Sequence, residues 1–495
     1  MPLRSTIDTF TSRGIQVCLL LLALSAPISI AATQTAWAFA LLFWIIRLVA
    51  VCPRFRLAAI DLAVLAFVGL SLISSFFSYE PRVSLGKMAG VSLVTIAYLF
   101  AGYVKDERVL NWIVILLLTA CFASSLFAFG TLIIGKNIKV LRLADESPLR
   151  AAGVEENDTI LKAAGHDVAS PEQLDRAIAD VRIDGGAVVP IITYRHELIN
   201  TYQMPIASLP PGVAGLGILD WSRGRDTRAT GFYGQDVTFA EALQLIASLA
   251  FGLLLMARRS IFQGNRLLLF IVLVAYVGAL FLTITRASWL SLVISAIVML
   301  TTVASRRTLM IVAACAIPLI IGGLIYLQQK RQVGFFDTSD DSIAWRLTVW
   351  HEALNVIVMS PRHLVAGIGM DSLKTHWQDW HMFDNGWRPM GHMHSTPIQL
   401  AFERGVPTLL AWLVWMGIYL KLLWKNLRRQ DLKWQYRGLL LGAFGGCVGM
   451  LTSSLVHYNW GDSEVVMIFY LIMGLSLAII YRLGEPQPQN NRAER

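Results

Sequence analysis

The sequence predicts an all-α polytopic membrane protein of about 12 transmembrane helices, with a small α+β domain inserted outside the membrane. Three observations carry this. The 495 residues are 55% hydrophobic and 15% charged, with a mean hydropathy of +0.57, a balance foreign to soluble domains. Apolar runs of roughly 20 residues, the length a helix needs to cross a bilayer, recur along the chain. One stretch, 136–208, is instead polar and carries strand, helix and turn signals. The net charge of +9 does not indicate a nucleic-acid partner. Lys and Arg concentrate in short loops between apolar runs, where orientation in the membrane accounts for them. Cys18, Cys52, Cys121, Cys315 and Cys447 all lie in or beside apolar runs, with no CxxC and no disulfide framework.

In chain order, Arg4 and Arg13 precede an apolar run at about 16–33. It resembles a signal peptide with a cleavage-like Ile30-Ala-Ala, but a second run at about 35–52 follows at once, which favours an uncleaved first span. After Pro53-Arg-Phe-Arg56 come runs at about 58–77, 84–104 and 112–134, so residues 1–135 hold helices 1–5. Residues 209–328 hold a loop and spans at about 237–257, 267–285, 287–304 and 308–327. Residues 329–404 form a long polar loop, and 405–495 hold spans at about 405–424, 438–457 and 463–482 and a short tail. Arg4/Arg13, Arg54/Arg56, Lys105/Arg108, Arg258/Arg259/Arg266, Arg306/Arg307 and the run Lys421 to Arg437 fall on one side of this scheme. The positive-inside rule makes that side cytoplasmic, with both termini there. All nine histidines then fall on the opposite side.

The insertion at 136–208 reads as a strand (Ile138–Leu143), a helix (Pro171–Val181) and a hairpin (Val188–Tyr194, Leu198–Pro205) turning at Arg195-His-Glu197. Ser170 is its helix N-cap, and Gln173 completes a capping box. Ser147-Pro-Leu-Arg-Ala-Ala-Gly153, Glu156-Asn-Asp-Thr-Ile160 and the Ser170–Ile178 helix start resemble a PDZ domain of the bacterial envelope-protease kind. The resemblance implies a peptide ligand added as a strand. The glycine-rich carboxylate loop is reduced to Gly135-Lys-Asn137, so a purely structural insertion stands beside that reading.

The chemistry concentrates outside the membrane. The 329–396 segment holds six of the nine histidines: His351, His363, His376, His381, His392 and His394. A neutral histidine suits a general base, since its ordinary pKa lies near working pH. His392-x-His394 with His376 or His381 permits a zinc site, but the spacing is loose and clustered acids are missing; no metal and no cofactor is expected. Arg286, in Thr283-Ile-Thr-Arg-Ala-Ser-Trp289 at an outer turn, either snorkels or grips phosphate as a bidentate partner. Arg346 sits on an amphipathic helix with Ile343, Leu347, Trp350 and Leu354 at helical spacing, started by Asp340 or Ser342. Arg223, Arg225 and Arg228 occupy an outer loop against the charge bias, and suit either a solvated loop or an anionic head group.

His394-Ser395, nine residues and then Gly405 match the His-[Asn/Ser/Gln]-x9-Gly signature of the O-antigen ligase/polymerase superfamily of bacterial inner-membrane proteins, which this chain resembles. Thr283-Ile-Thr-Arg-Ala-Ser-Trp, Trp345-Arg-Leu-Thr-Val-Trp-His-Glu with the later Gly367-Ile-Gly369, and Arg228-Ala-Thr-Gly-Phe-Tyr-Gly also look like that family. The resemblance covers about 15–135 and 209–482 and implies transfer of a glycan from a polyprenyl diphosphate to an acceptor hydroxyl on the periplasmic face. It implies an inverting, metal-independent reaction, with His394 as base and Arg286 and Arg346 on the diphosphate. Arg228 and Ser395 join Arg286 and Arg346 as substrate-binding candidates. The acceptor is lipid A–core, a glycan or a protein; membrane lipids surround the chain, and no nucleic acid takes part. A transporter is the alternative from another class, but Arg47, Asp61, Lys87 and Glu241 lie toward span ends rather than at mid-membrane. A sensor is disfavoured by the short polar tail.

Overall fold

The computed structural model describes residues 2–51, 57–195, 198–257, 265–307 and 341–483, with scattered positions between 309 and 325. Cys52, Arg54, Arg56, Arg258, Arg259, Cys315, His196, Glu197, Asp340 and the tail after Leu483 lie outside them. The expected ninth span, 308–327, and the start of the long loop do so for the most part. The chain divides into two compact units: one of 1–125, 230–312 and 337–495, the other of 126–229 and 313–336.

The first unit is helical. Helices of six residues or more, numbered across the chain, are α1 (Pro2–Ser25), α2 (Ile30–Val51), α3 (Ala59–Phe76), α4 (Pro81–Ser92), α5 (Thr95–Tyr103), α6 (Glu107–Ile134), α7 in the second unit (Pro171–Ile183), α8 (Asp236–Met256), α9 (Asn265–Leu282), α10 (Arg286–Val303), α11 (Asp341–Met359), α12 (Pro361–Ala366), α13 (Thr396–Arg404), α14 (Val406–Leu427), α15 (Trp434–Ser453) and α16 (Ser463–Ala478). Among the described residues nine helices are long and apolar enough to cross a membrane, with α4 and α5 counted as one span. This is a multi-pass membrane protein. The expected seventh span is a shorter apolar helix, 266–282.

Two boundaries differ from expectation. The first helix starts at Pro2 and ends at Ser25, not at 16–33. Its polar first turns are held in the helix because Arg47 of α2 pairs with Asp8 at 2.6 Å, and Pro27 lies in the turn before α2. The fourth span breaks at Leu93–Val94 into α4 and α5.

α8 and α16 are apolar and buried nearly all round, so they form the centre of the bundle. α8 reaches that density against the glycines of α15. A Cβ on Gly252 would stand 2.4 Å from the backbone nitrogen of Gly442. Small residues are what let membrane helices approach this closely. Gly252→Ala is therefore expected to cost about 1–3 kcal/mol by overpacking, read as a lowered melting midpoint in detergent.

The second unit carries an all-antiparallel sheet of β1 (Lys136–Leu143), β2 (Thr159–Ala163), β3 (His166–Asp167), β4 (Val188–Arg195), β5 (Leu198–Pro205) and β6 (Ile218–Gly224). The order is β5-β4-β2-β1-β6, with β3 on β2. Ile138, Val140, Ile160, Leu174, Ile178 and Ile191 fill its core. The expected strand, helix and hairpin are present, but the sheet does not end at 208. Residues 218–224, read from sequence as loop, pair along β1. Their polar alternation hid them, because the strand lies at the sheet edge and stays half exposed. The expected capping box also differs: Gln173 Oε1 accepts from the backbone N–H of Ala169, not Ser170.

Candidate active site

The His-Ser-x9-Gly spacing has a local cause. Ser395 is the N-cap of α13, the nine residues Thr396–Arg404 are the helix, and Gly405 ends it. Gly405 has φ 83°, ψ 160°, a region nearly closed to residues with a Cβ. The second motif closes on the first. Ile368 N–H donates to Phe402 O at 2.9 Å and Gly369 N–H to Glu403 O at 2.8 Å, satisfying carbonyls that the end of α13 leaves unpaired. A Cβ on Gly367 would stand 2.4 Å from the Glu403 carbonyl carbon, which is why this turn is Gly-Ile-Gly.

The other end of α13 is tied to the turn after α15. Thr396 N–H donates to Ser454 O at 2.8 Å, and its hydroxyl reaches His457 O at 3.2 Å and Asn459 Oδ1 at 3.0 Å. The loop before it is held by α11. Trp350 Nε1 donates to Met393 O at 2.6 Å and Trp345 Nε1 to Pro389 O at 3.1 Å. The Trp345 ring meets the His394 ring edge-on, 4.9 Å between centroids. His394 sits at φ 45°, and its N–H points at His392 Nδ1, 3.2 Å away. On α11 the buried face is Val349, Ala353, Val356 and Ile357; Leu347 and Leu354, from the expected apolar stripe, are exposed. The helix is thus apolar on two faces, one against the loop and one outward.

These elements enclose a cavity of about 780 Å³. Its wall includes Thr238, Glu241, Arg346, Lys374, His392, His394, Glu403, His457, Asp462 and Glu464. Burial, then the charges of His392, Arg346 and His457, push the His394 imidazole down to about 3. Partial burial, then the charges of His457 and Arg346, also lower His392, although the residue keeps solvent exposure. Burial raises Glu403, against the pull of Arg404. Glu241 Oε1 stands 2.8 Å from His457 Nδ1, and the Thr238 hydroxyl donates to Asp462.

Of the residues nominated by sequence, Arg346 and His394 share this cavity and Ser395 is buried just behind it as the helix cap. Arg286 is the first residue of α10 and not part of the wall described. It does lie at the cavity's end of the bundle. Ser295 of α10 meets Ser248 of α8 at 2.8 Å, and a Cβ on Gly449 of α15 would sit 3.0 Å from Ser291 O. That register puts Arg286 level with the start of α8 and the end of α15. Arg228 belongs to the second unit. Three other loop histidines have structural partners: His363 bonds Val356 O and Tyr79 at 2.8 Å each, His376 bonds Asp379 at 2.7 Å, and His351 lies 3.3 Å from Asn355. Among the described residues no group of three or more His, Cys, Asp or Glu is placed to hold a metal.

Sequence reasoning missed His457 as a site residue and weighed Glu241 only against transport. The available signal was a carboxylate one turn inside an otherwise apolar helix, which demands a partner.

No curated protein matches the chain. A family model described as O-Antigen ligase matches residues 268–413, a stretch that contains Arg286, Arg346, His394, Ser395 and Gly405. Over residues 268–413, which hold part of the cavity wall, this multi-pass membrane protein is therefore similar to the O-antigen ligase family.

Proposed function

We propose that the protein moves an oligo- or polysaccharide from a polyprenyl (undecaprenyl) diphosphate to an acceptor hydroxyl, as an inverting, metal-independent glycosyltransferase. The observation that supports this is one cavity lined by a guanidinium, imidazoles and carboxylates beside an apolar bundle. A lipid-borne diphosphate is presented at that depth. Arg346 holds it and offsets the charge that grows on the leaving group; Arg286, at the same end of the bundle, is the second cation. The leaving diphosphate is a stable anion and needs no general acid. The acceptor hydroxyl needs a base, and the base is an imidazole of the cavity wall, His394 in the assignment drawn from sequence.

The positive loops favour a bacterial inner membrane setting with both termini cytoplasmic and the cavity facing the periplasm. O-antigen ligase is the first reading of the acceptor, lipid A–core. A glycan acceptor would make the protein a polymerase, and a protein acceptor would employ the PDZ-like inserted domain. The test is transfer in proteoliposomes from a purified polyprenyl-diphosphate oligosaccharide to lipid A–core, a second glycan chain or a peptide. Transfer to one of them is expected; none, from a donor shown to bind, would point to transport instead. In the same assay Arg346→Lys is expected to raise the donor KM about tenfold or more, because an ammonium replaces a planar fork with a point charge. An unchanged KM would remove Arg346 from the diphosphate.

A further inference from the structure

Resting on the transferase reading, a second imidazole of the cavity is better built to take the proton than His394. We infer that His457, held by Glu241, is the general base. Glu241 is buried at 3% exposure on α8, and His457 is buried at 8% in the turn after α15. With Glu241 ionised, the 2.8 Å contact between Oε1 and Nδ1 puts the proton of a neutral His457 on Nδ1. Nε2 is then the lone-pair nitrogen. Glu241 is the only side chain that bonds the His457 ring among the described residues, and the residue lines the cavity, so Nε2 is left for a substrate hydroxyl. A carboxylate behind an imidazole fixes its tautomer and stabilises the imidazolium that forms, the division of labour seen in serine hydrolase triads.

The surroundings divide the two histidines. His394 stands with Arg346 and His392, where a new positive charge is resisted and a neutral ring N–H suits a diphosphate oxygen. His457 bonds Glu241 of α8, and Asp462 before α16 adds a second carboxylate to the same cavity, which His392, His394 and Arg346 also line. In the transfer step the anomeric carbon–oxygen bond to the diphosphate breaks, its electron pair leaving with the diphosphate. The acceptor oxygen bonds to that carbon, and its proton passes to His457 Nε2, later to be lost to water. Glu241 touches no substrate and is a positioning residue. The backbone of His457 has a separate task, since its carbonyl accepts from Thr396; replacing the side chain leaves that tie in place.

The test compares wild type, His457→Gln, Glu241→Gln and Glu241→Asp in proteoliposomes with the acceptor that wild type consumes. His457→Gln is expected to lower kcat by about 10²–10⁴-fold with the donor KM within twofold. Glu241→Gln should lower kcat less, and Glu241→Asp should recover part of it. A kcat for His457→Gln within threefold of wild type would overturn the assignment. If His457→Gln melts well below wild type, imidazole added to His457→Ala decides: restored transfer supports the base role, and none overturns it. A wild type inactive with every acceptor would sink the transferase reading itself; an active wild type with an equally active His457→Gln would sink only the base.

Discussion

Alanine at position 394 is expected to lower glycan transfer by about 10²–10³-fold, the usual cost of losing one preorganised donor to a developing anion. The His394 ring is fixed from three directions: Trp345 against its edge, His392 beside it with 4.2 Å between ring centroids, and a left-handed backbone at φ 45°. A side chain held this firmly, in a wall shared with Arg346, contributes geometry as much as charge. Steady-state transfer in proteoliposomes checks the prediction, and loss of less than threefold would remove His394 from the reacting centre.

Acid is expected to destabilise the native protein through the same residue. An unfolded chain protonates His394 near the ordinary 6.5, whereas the native site holds it down to about 3. Between those values the unfolded state binds the extra proton, so stability falls as pH drops through that window. His394→Gln removes this contribution. Its melting midpoint in detergent is expected to fall less than that of wild type between pH 7 and pH 4.5. An equal or larger fall would mean that the imidazole is not held neutral.

Much of the fold was legible because the membrane imposes a length and a composition on each span. What escaped did so where tertiary contact overrode local pattern. Asp8 and Arg13 would end an isolated apolar run, yet they sit inside α1 because Arg47 on the neighbouring helix meets Asp8. The strand 218–224 has no apolar alternation, since an edge strand needs only backbone pairing on one side. In the cavity, residues within motifs were nominated from sequence and residues joined only by folding were not. Arg346 and His394 lie on the long loop, in stretches that resemble the family's motifs. Glu241 and His457 are 216 residues apart in sequence, and nothing local to either reveals the other.

Gly405→Ala tests whether the motif spacing holds the site together. The glycine stands at φ 83°, ψ 160°, where a residue with a Cβ carries about 1–3 kcal/mol of strain. That Cβ would also lie 2.1 Å from the carbonyl oxygen of Val365, an overlap that backbone must move to relieve. The movement would fall on α13, whose last carbonyls are bonded by the Gly367-Ile-Gly369 turn and whose cap follows His394 directly. A shift of about 1 Å at a reacting group can cost on the order of 10²-fold in rate. Gly405→Ala is therefore expected to lower both the melting midpoint and transfer. Gly417→Ala on α14, where a Cβ meets nothing within 4 Å, should change neither. Equal behaviour of the two variants would show that α13 tolerates displacement, and that His394 is held by α11 and its tryptophans alone.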